Sequence, residues 1–401
     1  MDLPLPAAFW RGGTSRAVLF RDADMRVFSE RERDAAILAA LGSPDPNGRQ
    51  VDGLGGGISS LSKAAIIGRA TAGSGADVTF QFAQVDVQTP RVEFSGNCGN
   101  ISAAVGPFAL DTGLVVPPAD AAEARIVVLS VNTGQRYVAH VPLQAGRFDP
   151  DGTFAIDGVP GTGARIGLEY LDPGGSAGRG LLPTGAAREC VRLAGGREVV
   201  VSIVDAANPL VFVSAADVGA TATETPAAID ADGALCGVLE ELRAEAAVRI
   251  GLARTRQAAS ADSKSIPKVA VVAPASSYAT TDGGRVDGEA VDVLVRMLSV
   301  GRAHRTLAMT AGICAAAAAG IAGTVVAEVA RPGAAGERVV RLGHAAGVLP
   351  IGVRVCRAED GGWRAASATT YRTARKIIDG QVYVPAAYLA GRAWFQAERG
   401  G

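Results

Sequence analysis

Lysine is the scarcest charged residue of this 401-residue chain: of 39 basic residues only Lys63, Lys264, Lys268 and Lys376 are lysine, and the rest are arginine. Arginine keeps its proton at any physiological pH, whereas a buried lysine can lose one, so chemistry that needs an amine base has four places to sit. Histidine is rarer still, with His140, His304 and His344 the complete set. The five cysteines, at positions 98, 190, 236, 314 and 356, include no closely spaced pair. Metal sites built on Cys-x-x-Cys are thereby excluded, and no metal ligand set is expected. Scattered, unpaired cysteines suit a reducing cytoplasm, and Cys190, Cys236, Cys314 and Cys356 read as buried structural residues. Aromatics make up only 5% and the net charge is −1 with no basic cluster, so a nucleic-acid partner is not expected. Met1-Asp2-Leu3-Pro4 has neither a basic start nor a long apolar core, so no signal peptide is expected.

One uncharged run is long enough to cross a bilayer, Leu307 to Ala327. It consists mainly of alanine, glycine and threonine and has no aromatic belt. A buried helix of small residues explains it, and no membrane association is expected.

What the chain has in quantity is apolar residues, 48%, and 51 glycines, the composition of a well-buried globular protein. Ala7–Trp10 and Ala17–Phe20 flank the turn Arg11-Gly12-Gly13-Thr14-Ser15 as strand, loop and strand. Glu30 to Leu41 reads as a helix closed by Gly42. Lys63 heads a strand, Val78–Val87 and Arg91–Phe94 form a hairpin, and Ser95-Gly96-Asn97-Cys98-Gly99-Asn100 opens a small-residue helix over Ile101–Ala109. The outline then recurs. Val199–Val204 and Leu210–Val213 flank another loop, a helix spans Ala234–Val248, and a strand follows over Lys268–Val272. Val291–Leu298 reads as a helix, and Thr310-Ala311-Gly312 opens a second small-residue helix over Ile313–Ala319. Two related α+β halves, each a mostly antiparallel sheet around a central helix, account for this recurrence. The expected division is 1–187 and 188–372, with 373–401 packing back on the first half. Facing halves leave a cleft, and a helix start presents unpaired N–H groups that hold a carboxylate without lysine or arginine.

Two residues stand out for chemistry. Cys98 lies at a helix start between Asn97 and Gly99, where the helix field favours thiolate. Lys63 closes the polar run Gly55 to Ser62 and heads an apolar strand, where burial would favour the neutral amine of a proton-abstracting base. Spacing alone leaves open a structural cysteine and a solvated strand-end lysine. Gly53-Leu54-Gly55-Gly56-Gly57 matches no nucleotide-binding loop, and no Gly-x-Ser-x-Gly elbow is present.

Arg11-Gly12-Gly13-Thr14-Ser15, Gly42-Ser43-Pro44-Asp45-Pro46, Asp52-Gly53-Leu54-Gly55-Gly56, Ser62-Lys63 and Ser95 to Asn100 together resemble the PrpF family. So do Pro183-Thr184-Gly185, Asn208-Pro209 and Pro267-Lys268-Val269-Ala270. The resemblance implies the diaminopimelate-epimerase-like fold and cofactor-free isomerisation of unsaturated di- and tricarboxylates. It places Lys63 and Cys98 on the two catalytic positions, with Cys98 either a second acid/base or an orienting group. It places substrate contacts at Thr14, Ser15, Ser62, Asn97, Gly99, Asn100, Asn208, Met309, Thr310, Ala311 and Gly312. Met309-Thr310 stands where racemising relatives carry a second cysteine, which argues against two-thiol racemisation. Arg16, where the family usually has lysine, and His344-Ala345-Ala346-Gly347 depart from its pattern. The expected activity is therefore a shift of a double bond, or of its cis/trans geometry, in an acid of the aconitate or 2-methylaconitate type. A keto–enol tautomerase of the oxalomesaconate kind and a catalytically silent carboxylate binder are the alternatives. A cytoplasmic homodimer without cofactor is the expected setting.

Overall fold

The computed structural model describes residues 2–333, 336–359 and 361–390. The part of the expected C-terminal segment beyond residue 390 lies outside them. The first run of principal strands is β1 (Asp2–Gly12), β2 (Ser15–Arg21), β3 (Lys63–Arg69), β4 (Val78–Val85), β5 (Glu123–Ser130), β6 (Arg136–Gln144) and β7 (Ile166–Leu171). The second is β8 (Glu198–Ala206), β9 (Asn208–Ser214), β10 (Lys268–Pro274), β11 (Val293–Ser299), β12 (Gly336–His344), β13 (Gly347–Arg357) and β14 (Trp363–Arg372). A last strand, β15 (Ala374–Pro385), pairs antiparallel with β1.

Both runs pair in one pattern. β1–β2 is antiparallel, β2–β3 parallel, β3–β4 antiparallel, β4–β5 parallel, and β5–β6 and β6–β7 antiparallel. β8–β9 is antiparallel, β9–β10 parallel, β10–β11 antiparallel, β11–β12 parallel, and β12–β13 and β13–β14 antiparallel. The runs join where β14 pairs with β7.

Helices occupy matching places. Between the second and third strands of each run lies an outer helix, α1 (Glu30–Leu41) and α3 (Gly233–Arg249). Between the fourth and fifth lies an inner one, α2 (Gly99–Asp111) and α4 (Met309–Ala319). α1 has the bounds expected from sequence because its ends are chemically marked. Ser29 and Glu32 form a capping box, and Gly42, at φ 70°, turns the chain out of the helix. α4 is buried along its whole length, and its alanines share one core with Ile101, Val105 and Phe108 of α2. Small side chains let sheet and helix approach closely on every side. Among the described residues no helix is long and apolar enough to cross a membrane.

Val291–Leu298, expected as a helix, is instead β11, pinned between β10 and β12. Both of its faces are buried, so it shows no alternation, and a short continuous apolar run does not distinguish strand from helix. Cys190 and Cys356 are exposed, not buried, while Cys314 is buried in α4 and Cys236 intermediate on α3. Both exposed thiols stand on strands with one solvent face, where a cysteine is as well placed outward as inward.

Candidate active site

Where the inner helices meet end to end, a small inner cavity of about 20 Å³ opens toward a cleft of about 750 Å³. Ser59, Gln84, Ser299 and His304 line both spaces. Cys98 is the N-cap of α2 and Ala308 that of α4, and neither side chain caps its helix. Elsewhere Ser29, Thr225, Asp232, Thr255 and Thr324 supply that bond. Both inner helices therefore present uncapped starts, the positive end of the helix dipole, beside the cavity.

Lys63, 7% exposed, enters the cavity from the first residue of β3. Its Nζ donates to Gln84 Oε1 at 2.5 Å and lies 5.1 Å from the Phe82 ring centre. Gln84 is aimed by its own amide, which donates to the Ser59 and Ser62 carbonyls. Burial pushes the Lys63 ammonium below the ordinary lysine range, and the nearby Cys98 charge partly offsets this. Cys98 is buried against the same cavity, and its backbone carbonyl accepts from Ser102 N–H and Oγ–H.

Asn208 ties the two runs together. Its Oδ1 accepts from Asn97 N–H at 3.1 Å, and its Nδ2 donates to Asn97 O at 3.0 Å and Thr310 Oγ1 at 3.1 Å. One amide thus holds both helix starts. Gly99 allows them to touch, since a Cβ there would fall 2.4 Å from Met309 Cγ. Gly99→Ala is expected to cost about 2 kcal/mol, the usual penalty of an overpacked core, and to lower activity by moving the start of α2. Thermal unfolding checks it; an unchanged midpoint means that Met309 yields freely.

Among the residues expected from sequence, the structure brings Ser15, Lys63, Asn97, Cys98, Gly99, Asn100 and Thr310 to the inner cavity. Ser15 Oγ is buried there with no hydrogen-bond partner, an open place for a ligand oxygen. Thr14 lies one step back, bonded to Asn100 Nδ2 and Thr306 Oγ1. Ser62 does not reach the wall: its Oγ accepts from Gln50 Nε2 and donates to the Val85 carbonyl. Met309, Ala311 and Gly312 are buried within α4, where Met309 packs on Gly99 and Gly312 on Leu349, and they line neither space.

Among the wall residues that sequence reasoning missed, three bear most on the chemistry. Gln84 stands opposite Lys63 only through the β3–β4 register, and nothing local marks it. Lys268, 8% exposed, was visible as one of four lysines; its Nζ donates to the Ser265 carbonyl at 3.0 Å. His304 accepts from Thr306 N–H at Nδ1, so its neutral ring carries hydrogen on Nε2. Burial beside Lys63 pushes it down to about 4, which keeps it neutral at physiological pH. Among the described residues no three His, Cys, Asp or Glu side chains gather as a metal site requires.

The 3-methylitaconate isomerase of Eubacterium barkeri is 40% identical to this chain, covering 97% of it and 99% of the relative. The 2-methyl-aconitate isomerase of Shewanella oneidensis is 36% identical, over 96% and 98%. The crystal structure of a methylitaconate-delta-isomerase superposes with a TM-score of 0.75 at 40% identity, covering 98% of each chain. The fold is the diaminopimelate-epimerase-like one expected from the resemblance. The family model described as "PrpF protein" matches residues 3–385, and the chain belongs to the PrpF family.

Proposed function

We propose that the protein is a cofactor-independent isomerase that moves a double bond, or its cis/trans geometry, in a small unsaturated polycarboxylate of the aconitate or methylaconitate type. One observation carries this reading: a buried lysine whose proton is held weakly faces two uncapped helix starts across one cavity. The base and the anion site are what an allylic proton shift requires.

The reacting carbon and its conjugated carboxylate sit at the inner cavity, and the rest of the acid extends toward the wider cleft. Neutral Lys63 Nζ takes a proton from the allylic carbon. The freed electron pair spreads through the double bond into the conjugated carboxylate. That carboxylate is held by helix-start N–H groups, the unpartnered Ser15 hydroxyl and the Nε2–H of neutral His304. The former double bond gains single-bond character and turns, or the proton returns to its far carbon. Lys63 or Cys98 delivers that proton. Residues 1–187 and 188–372 act as the two halves of the cleft, with the described residues after 372 returning to the first. The exposed thiols of Cys190 and Cys356 suit a reducing cytoplasm.

Proton NMR of cis- and trans-aconitate with the protein in D2O tests the reading. Deuterium entering the allylic methylene as the isomers interconvert is the expected result. Binding without exchange to these acids, their methylated forms and their oxo analogues would leave a silent binder and overturn it.

A further inference from the structure

The recurring strand pattern gives the site a second lysine in the place of the first. β3 and β10 are the third strands of their runs, each parallel to the second strand and following an outer helix. Lys63 is the first residue of β3 and Lys268 the first of β10. Across the next strand Lys63 stands opposite Gln84, and the pairing of Val269 with Leu298 sets Lys268 beside Ser299. All four line the inner cavity. The repeat extends to the helix starts, where Cys98 occupies the N-cap position of α2 and Ala308 that of α4.

We propose that Lys268 is a substrate-binding residue whose ammonium takes one carboxylate of the acid whose allylic proton Lys63 removes. This rests on the isomerase reading and adds how the site selects a polycarboxylate over a monocarboxylate. The two lysines differ in what surrounds them. Lys63 Nζ is engaged by Gln84 Oε1 and has a thiol at its helix start. Among the described residues Lys268 Nζ donates only to the Ser265 carbonyl, with alanine at its helix start.

Among the described residues no carboxylate forms an ion pair with Lys268. Glu93, whose charge reaches Lys268, pairs with Arg91 at 3.2 Å and accepts from Ser265 N–H at 3.2 Å. A buried ammonium without a counter-ion is costly, and a ligand carboxylate supplies one. The groups facing it are Lys63 from β3, Cys98 at the start of α2, Glu93 beyond β4, and neutral His304. Burial and the Lys63 charge push Lys268 down to about 8, while Cys98 and Glu93 pull the other way. The second run thus holds the anion while the first moves the proton.

Lys268→Met tests this, with trans-aconitate as probe. Its KM and Kd are expected to rise about 10- to 100-fold, the usual worth of a hydrogen bond to a charged group, with kcat falling far less. In Lys63→Met, which removes the Lys63 charge that helps lower Lys268, the Kd for trans-aconitate should weaken as pH rises between about 8 and 10.5. Lys268→Arg should hold its affinity across that range. Exchange in D2O by the unaltered enzyme with wild-type affinity in Lys268→Met overturns this proposal alone. Should Lys268→Met fail to fold, a Kd that stays flat from pH 8 to 10.5 in Lys63→Met overturns it as well. No exchange and no binding by the unaltered enzyme overturns the isomerase reading and this proposal together.

Discussion

Lys63→Met is expected to bind trans-aconitate and to turn it over about a hundredfold to ten-thousandfold more slowly than the unaltered enzyme. Removing the base forfeits the 10²–10⁴-fold that a positioned proton acceptor supplies, and no other amine faces the same wall with a hydrogen-bonded amide to aim it. Lys63→Arg sharpens the test. Arginine keeps a cation and a donor toward Gln84 Oε1 but cannot release its proton, so a loss of two or more orders of magnitude is expected there too. Stability is a poor alternative explanation. Methionine at a buried site loses one hydrogen bond but also removes a desolvated charge. Steady-state rates with unchanged Kd place the loss in chemistry. Turnover within tenfold of normal in Lys63→Arg would remove Lys63 as the base.

How much of this was readable before the structure depends on whether a residue's task is set locally. Glu30–Leu41 was legible to the residue because a capping box and a left-handed glycine lie next to it in the chain. The α2 start was legible through Gly96-Asn97-Cys98-Gly99-Asn100, where glycines admit the close approach to Met309. β11 was not, since burial on both faces erases the alternation that marks a strand. Ser62 illustrates a subtler limit. It adjoins Lys63 in sequence, yet neighbours along an extended chain point opposite ways, and its hydroxyl turns to Gln50. Gln84 faces Lys63 only through sheet pairing, and His304 is held by its backbone bond to the Met297 carbonyl, which nothing local marks. Lys268 lies between these cases: composition singled it out, but its likeness to Lys63 emerges from strand order alone.

The same lysine should show its cost in stability. An ammonium pushed from 10.5 to about 8 carries about 3 kcal/mol of unfavourable free energy at neutral pH, since each unit is worth about 1.4. The sign follows from proton binding. Between pH 8 and 10.5 the unfolded chain holds a proton on Lys268 that the folded chain has released, so stability from this group rises with pH across that window. Lys268→Met removes the titration and keeps a buried chain of similar length. It is therefore expected to be more stable than the unaltered protein by about 2–3 kcal/mol at pH 7, less the lost bond to Ser265, with the gap closing toward pH 10.5. Urea unfolding of both chains at several pH values measures that difference, in which titrations uncoupled from Lys268 cancel. Saturating trans-aconitate should narrow the gap from the other side, because it binds the folded lysine enzyme more tightly than the variant. Equal stability at pH 7 would mean that the Lys268 charge is already compensated in the folded state. A gap that closes both with base and with ligand would mean that the protein keeps an unstable cation where an acid substrate supplies the missing charge.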